Sequence, residues 1–223
     1  MKIFVYGTLL PGLRLHALLA ESFMIDHGFV EDVALYDLGD YPALVEGEGC
    51  VVGEVYEIDE STLARLDHVE GFDRLRPQHS LYIRCMVTVW GFSGEVFEAE
   101  TYVYNDRVGK VAMPIVSGDY RRYLMERESQ KPVWVVAYGS NLSRNRLKQR
   151  VGPVARGQAF RLADYVLCFN KEGNLIREPG SSAPVVAWLL DRKQLGCLDV
   201  FEGTPEHYLR LGITAKVEGK PVL

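Results

Sequence analysis

Residues 3–9 read Ile3-Phe4-Val5-Tyr6-Gly7-Thr8-Leu9, and residues 135–141 read Val135-Val136-Ala137-Tyr138-Gly139-Ser140-Asn141. Each is an apolar, largely β-branched run that breaks at a glycine, the pattern of a buried strand entering a turn. The copies stand 132 residues apart. A second pair shares that offset: Leu66-Asp67-His68-Val69-Glu70-Gly71 against Leu198-Asp199-Val200-Phe201-Glu202-Gly203. Two matches on one offset divide the chain into halves, each pairing a Tyr-Gly-Thr/Ser turn with a distant glutamate.

A chain of 223 residues divided this way gives two units of about 110 residues, each large enough to bury its own core. A hydrophobic content of 48% with 25% charged residues excludes disorder. No apolar run approaches the length needed to span a bilayer, so no membrane partner is expected. The chain opens directly on a strand without a basic, apolar, cleavable leader, which reads as cytoplasmic. Cys50, Cys85, Cys168 and Cys197 are scattered and the five histidines show no ligand spacing, so neither a zinc site nor a disulfide framework is indicated. The net charge of −5 divides unevenly: residues 1–127 hold 21 acidic and 11 basic side chains, leaving 9 and 14 for residues 128–223. Opposite signs favour packing of the two halves on each other and argue against nucleic acid as a partner. The basic run Arg144 to Arg150 reads as a solvated helix face.

The spacing predicts a helix over Leu13 to Phe23, then short strands at Phe29–Tyr36, Pro42–Val45 and Val51–Ile58, separated by turns at Gly39-Asp40 and Glu46-Gly47-Glu48-Gly49. Asp59-Glu60-Ser61 is a helix start, Leu63 and Leu66 face the core, and Gly71 suits a left-handed C-terminal cap. A strand pair follows at Ser80–Trp90 and Val96–Tyr104, then a helix capped by Ser117-Gly118-Asp119 that runs to Glu128, with Gln130-Lys131-Pro132 as linker. The second half repeats this order: strand 133–138, helix 144–150, strands near 158–170 and 184–190, and a helix from Asp191 with Gln194 at capping-box spacing. Tyr208-Leu209-Arg210 echoes Tyr82-Ile83-Arg84. The last hairpin falls at Ile213–Val217 and Pro221–Leu223, leaving no counterpart of Ala99–Tyr104, so the second domain reads as short of its last strand.

No GxSxG elbow, HExxH, Walker loop or GxGxxG is present. The turn after the first strand offers consecutive backbone N–H groups at Gly7, Thr8 and Leu9, a nest for a carboxylate or oxyanion. Glu70 and Glu202 fall at helix C-termini, where the dipole disfavours negative charge. Apolar neighbours (Val69 and Phe72; Leu198 and Phe201) would desolvate them, raising each carboxyl toward the range of a general base that later returns its proton. His68 is an alternative titrating group, read as an exposed helix-end histidine. A turn that holds an anion plus one poised carboxylate, without nucleophile, metal or cofactor, suits a reaction in which the substrate attacks itself.

These residues resemble the γ-glutamylcyclotransferase-like (AIG2-like) family in two tandem copies. Phe4 to Leu9 with Leu66 to Gly71 is similar to the γ-glutamylamine cyclotransferase branch, and Ala137 to Leu142 with Leu198 to Gly203 to the γ-glutamylcyclotransferase branch proper. The resemblance implies an α+β fold: domains at 1–128 and 133–223, each a small, mixed, mostly antiparallel β-barrel flanked by helices. It implies cofactor-free release of 5-oxoproline from a γ-glutamyl small molecule. Glu70 and Glu202 would be the general bases. Tyr6, Gly7, Thr8 and Leu9, and likewise Tyr138, Gly139, Ser140 and Asn141, would hold the glutamyl group, with Tyr102 or Tyr104 lining the first pocket. The alternative is a module that binds or senses such a metabolite without turning it over.

Overall fold

β1 (Lys2–Val5) buries three of its four residues and lies between two partners. It pairs antiparallel with β3 (Pro42–Glu57), setting Lys2 opposite Glu57 and Val5 opposite Glu54. β3 pairs with β2 (Phe23–Asp37), β2 with β4 (Tyr82–Gly91) and β4 with β5 (Val96–Tyr104), all antiparallel. β5 returns to β1 in a parallel pairing, Ile3 opposite Glu100, which closes a five-stranded barrel. A short β6 (Met113–Pro114) adds to β2. The coordinates are a computed structural model that describes residues 1–109, 112–127, 131–169, 173–204, 207–217 and 220–222. The predicted boundaries at Glu128, Gln130, Asn170 and Leu223 lie outside the described residues.

The barrel closes because glycines stand where strands approach tightly. A Cβ on Gly53 would sit 2.2 Å from the Val5 carbonyl oxygen and 2.6 Å from the Phe4 ring. Ile3, Val5, Leu9, Leu19, Tyr56 and Leu66 pack into one cluster. Part of it comes from α1 (Glu60–Val69), whose Leu63 and Leu66 are buried as their spacing predicts. Asp59 caps α1 by accepting from the Thr62 N–H at 2.7 Å, and Gly71 ends it at φ 65°.

Two expectations are overturned. The segment predicted helical from Leu13 is a chain of tight turns with a 3₁₀ helix only over His16–Leu19. The Leu15 N–H bonds back to the Thr8 carbonyl at 3.0 Å, a tie across the turn that a continuous helix does not make. Glu46 to Gly49 is not a turn but runs inside β3, whose register with β2 shifts beside it between Glu31 and Val33. There Asp32 takes φ 58°, a left-handed conformation that aspartate tolerates better than most residues.

The chain splits into compact units at Met1–Tyr123 and Leu124–Leu223, the division falling within α2 (Tyr120–Arg127). In the second unit β7 (Val133–Ala137) and β8 (Arg156–Phe169) flank β9 (Gly173–Leu190) in an antiparallel sheet. α3 (Arg144–Val151) and α4 (Arg192–Glu202) complete it, with a hairpin of β10 (Ala215–Val217) and β11 (Lys220–Val222). Landmarks recur at the offset of 132: the cap Asp59 and Asp191, the helix-ending Gly71 and Gly203, and the left-handed Asp32 and Asp164. Among the described residues the first sheet closes on itself, whereas β7, β9 and β8 form three strands and the hairpin a separate pair.

A polar cluster is buried in the first unit. Arg121 reaches Glu54 at 2.7 Å, the Tyr56 hydroxyl donates to Glu54 at 2.6 Å, and His27 lies 3.6 Å away. Burial alone would push the Glu54 carboxyl up; Arg121, His27 and Tyr56 outweigh it and hold the carboxyl below its ordinary range. Removing the guanidinium strands a buried charge, so Arg121→Met is expected to destabilise the protein by about 3 kcal/mol in urea unfolding. A loss under about 1 kcal/mol would show that the pair contributes little.

Candidate active site

The first site starts from the turn that ends β1. Gly7 backs directly onto Pro42, where a Cβ would stand 2.7 Å from the proline ring. The turn is held by its carbonyls: Gly7 accepts from the Leu10 N–H at 2.9 Å, Thr8 from Leu15 at 3.0 Å, and Leu9 from His16 Nδ1 at 2.9 Å. Among the described residues the N–H groups of Thr8 and Leu9 meet no acceptor. Such a turn presents free donors to an anion. Tyr6 donates its hydroxyl to the Tyr102 carbonyl at 2.6 Å, so its phenol anchors the wall of the pocket. Burial pushes that hydroxyl well above its ordinary pKa.

α1 delivers the glutamate. Glu70 is the residue capping its C-terminus, and its own N–H still bonds the Leu66 carbonyl at 2.9 Å. One pocket gathers the turn from Tyr6 to Leu9 with Tyr41, Pro42, Tyr82, Tyr102 and Glu70. No hydrogen bond or ion pair holds the Glu70 carboxylate among the described residues. Its burial, partly opposed by Arg14, pushes the carboxyl up to about 7. The cover is not the predicted one. Val69 is exposed, and the desolvating surface is the tyrosine-lined wall.

That wall is braced by hydrogen bonds. Tyr82 donates to the Pro42 carbonyl at 2.6 Å, and its ring meets Tyr41 and Tyr104 edge-on. Tyr102 donates to Asp67 at 2.8 Å, and Arg84 Nε lies 3.0 Å from the same carboxylate while also pairing with Glu100. Asp67, one turn before Glu70, thus ties the end of α1 to β4 and β5. Of the two tyrosines proposed for the pocket, Tyr102 lines it and Tyr104 packs behind Tyr82. His68 is exposed, as expected.

The second set of predicted residues is also brought together, with different chemistry. Asn141 Nδ2 donates to Glu202 Oε1 at 2.7 Å, and Arg150 donates to Glu202 Oε1 at 3.1 Å and to Asn141 Oδ1 at 2.7 Å. The Trp188 indole donates to the Asn141 carbonyl at 2.9 Å. Tyr138 is half-buried, its hydroxyl pushed up to about 12 by burial, then by Tyr208 and Glu202. Gly139 and Ser140 are exposed, unlike buried Gly7 and half-buried Thr8, and a Cβ on Gly139 would meet nothing within 4 Å. Phe201 is exposed and lies under the Arg150 guanidinium, so it does not cover Glu202 as expected.

Sequence reasoning missed Tyr41, Pro42 and Tyr82 as pocket walls and set Arg150 on a solvated face. The echo of Tyr82 in Tyr208 was the available signal for Tyr82. Nothing local marks Pro42, which reaches the site through strand pairing. Among the described residues no three His, Cys, Asp or Glu side chains cluster as metal ligands, and no helix is long and apolar enough to cross a membrane.

A barrel that carries a free-donor turn at one strand end and an unpaired glutamate beside it defines a class, and the comparisons agree. The family model for gamma-glutamyl cyclotransferase, AIG2-like, matches residues 3–122, and the chain belongs to that family. A candidate gamma-glutamylcyclotransferase of Vibrio cholerae is 51% identical over 69 residues, covering 30% of this chain and 60% of that protein. One of Methanocaldococcus jannaschii is 36% identical over 124 residues, 54% of this chain and 96% of its own length. A third, YkqA of Bacillus subtilis, is 30% identical over 195 residues, 82% of this chain and 64% of that protein. The crystal structure of YkqA superposes with a TM-score of 0.75 at 25% identity over 99% of this chain and 80% of that one. The chain thus spans less than two thirds of the full Vibrio and Bacillus proteins.

The raised Glu70 carboxyl has a thermodynamic consequence. A carboxyl at about 7 in the folded state and near its ordinary value when unfolded holds more protons folded than unfolded between those values. Folding stability therefore falls as pH rises from about 4.5 to about 7, by roughly 1 to 3 kcal/mol, and stays reduced above that. Glu70→Gln removes the titration, so the variant is expected to melt higher than wild type at pH 8 and to match it near pH 4.5. Equal melting differences at both pH values would contradict a raised carboxyl.

Proposed function

We propose that the first unit is a γ-glutamylcyclotransferase that releases 5-oxoproline from a small γ-glutamyl substrate. The single observation that carries this reading is the half-buried Glu70, unpaired among the described residues, sharing a pocket with a turn whose Thr8 and Leu9 N–H groups have no acceptor there. In this reading the turn holds the glutamyl carboxylate. Glu70 takes a proton from the substrate's α-ammonium. The freed nitrogen attacks the γ-carbonyl carbon, forming the ring C–N bond, and the original γ-amide C–N bond breaks. The ring nitrogen sheds its second proton on becoming an amide, and the departing amine receives both protons by way of Glu70 and leaves as an ammonium, so the enzyme ends as it began.

The chain's contribution is to fold the substrate on itself and to keep one carboxyl near neutrality, the pKa at which a group both takes and returns a proton efficiently. Family membership supports the reaction type. The aromatic wall of Tyr41, Tyr82 and Tyr102 supports a pocket that folds a short chain and excludes water. We read the second unit as a second copy of the domain, on the offset of 132 shared by its caps, its bulge and its turn.

The test is 5-oxoproline release from γ-glutamyl amines and γ-glutamyl amino acids. Glu70→Gln is expected to lower turnover by about 10²-fold or more, the usual worth of a general base. In wild type kcat/KM should rise about tenfold per pH unit below a midpoint near 7 and level off above it, because the free enzyme must present the ionised carboxylate. An active enzyme whose profile is flat from pH 5 to 8, or is unchanged by Glu70→Gln, would overturn the assignment.

A further inference from the structure

One carbonyl of the turn is tied down in both units, by residues that do not correspond. In the first unit the Leu9 carbonyl accepts from His16 Nδ1 at 2.9 Å. At the offset of 132 its counterpart is the Asn141 carbonyl, which accepts from the Trp188 indole N–H at 2.9 Å. The counterpart of His16 is Lys148, so the tie has moved to another element. Trp188 corresponds instead to Tyr56, by the offset and by strand register: Tyr56 lies opposite Ile3, and Trp188 opposite Val135. The Tyr56 hydroxyl is committed to Glu54 at 2.6 Å, whereas the counterpart of Glu54 is Val186. In the first unit the ring N–H therefore comes from His16, which stands beside Tyr56 with ring centroids 6.3 Å apart. The inner bond of the turn recurs as well. Leu10 N–H donates to the Gly7 carbonyl at 2.9 Å, and Leu142 N–H to the Gly139 carbonyl at 3.0 Å.

We infer that His16 is a positioning residue for the substrate carboxylate: through the Leu9 carbonyl it sets the direction of the turn's free N–H groups. The inference rests on the function proposed for the first unit. A peptide group is planar and trans, so its C=O and N–H point opposite ways and pinning one aims the other. The Leu15 N–H pins the Thr8 carbonyl at 3.0 Å and so aims the Leu9 N–H. His16, the next residue, pins the Leu9 carbonyl and so aims the Leu10 N–H at the Gly7 carbonyl. The Gly7 carbonyl, held in that way, aims the Thr8 N–H. Two neighbours in one short segment thus orient both free donors. A carbonyl only accepts, so the His16 bond requires the proton on Nδ1. His16 is half-buried and is not among the residues lining the pocket, so it acts through the turn. A turn aimed in advance binds its anion without first having to order itself. Loss of the tie weakens carboxylate binding in ground state and transition state alike, and leaves the proton transfer by Glu70 intact.

His16→Asn and His16→Leu form the test pair, because the two side chains match in shape and only asparagine offers an N–H near the place of Nδ1. In the full chain labelled on backbone nitrogen, the Thr8 and Leu9 amide signals are expected to shift saturably with 5-oxoproline, which carries the carboxylate that substrate and product share. His16→Leu should raise the half-saturation read at those two amides by about tenfold or more, the worth of one well-placed hydrogen bond. His16→Asn should stay within about threefold of wild type. In the release of 5-oxoproline from a γ-glutamyl substrate, His16→Leu should raise KM by a similar factor and keep kcat within about threefold. A histidine that only stabilises the fold would lower the melting temperature and leave half-saturation and KM where they were, and that result overturns the inference. A loss confined to kcat, or an asparagine variant no better than the leucine one, overturns it too. Should His16→Leu fail to fold, His16→Phe, which keeps a ring beside Tyr56 and lacks the donor, is read against His16→Asn in the same way. Thr8 and Leu9 signals that ignore 5-oxoproline in wild type also overturn it. Wild type that releases no 5-oxoproline from any γ-glutamyl substrate, while those amides still titrate with the His16 dependence, is a different failure: it removes the proposed reaction and supports the positioning role.

Discussion

A carboxylate buried without a partner holds its proton more tightly, and the first unit is arranged around keeping Glu70 in that condition. Its neighbours in the pocket are aromatic rings, a proline and backbone. Arg14 pulls in the opposite direction and is outweighed by burial. Other carboxylates of the first unit are held by partners. Glu54 has Arg121, Tyr56 and His27; Asp67 has Arg84 and Tyr102. Beside those partnered carboxylates, Glu70 at the end of α1 has no hydrogen bond or ion pair among the described residues.

The geometry of the site depends on a series of side-chain ties. Asp67 is fixed to β4 through Arg84 and to β5 through Tyr102, while Tyr102 in turn receives the Tyr6 hydroxyl on its carbonyl. The end of α1, the last strand of the barrel and the turn after β1 are therefore linked in series. The same device recurs in the second unit, where Arg210 Nε lies 2.7 Å from Asp199 on the corresponding helix. There Arg210 also donates to Glu126 at 2.7 Å in place of a tyrosine contact.

Much of this was legible in sequence because the information was local and doubled. Strand, turn and glutamate each occupy a few consecutive residues, the repeat fixed their pairing, and caps such as Asp59, Gly71 and Asp191-Gln194 follow from the hydrogen-bonding needs of helix ends. What escaped was non-local or conformational. Pro42 and Tyr82 enter the pocket through barrel closure. The stretch after Gly12 keeps helical spacing of its leucines yet folds as turns, because the Leu15 N–H is claimed by Thr8. The glycines at 47 and 49 look like turn residues but belong to a strand, where a Cβ on Gly47 would stand 2.7 Å from that of Ala34. Arg150 was misread because a basic helical run looks solvated unless the acid it meets is known, and that acid is 52 residues on.

The condition of Glu70 therefore rests on what surrounds it, and burial dictates the direction of its titration. Carbon-13 NMR of a glutamate-labelled protein, with Glu70 identified by Glu70→Gln, reads that titration without substrate or turnover. The Glu70 carboxyl signal should move with a midpoint near 7. A midpoint near the ordinary value of about 4.5 would mean that the carboxylate is solvated, and would contradict the proposal that Glu70 carries the proton.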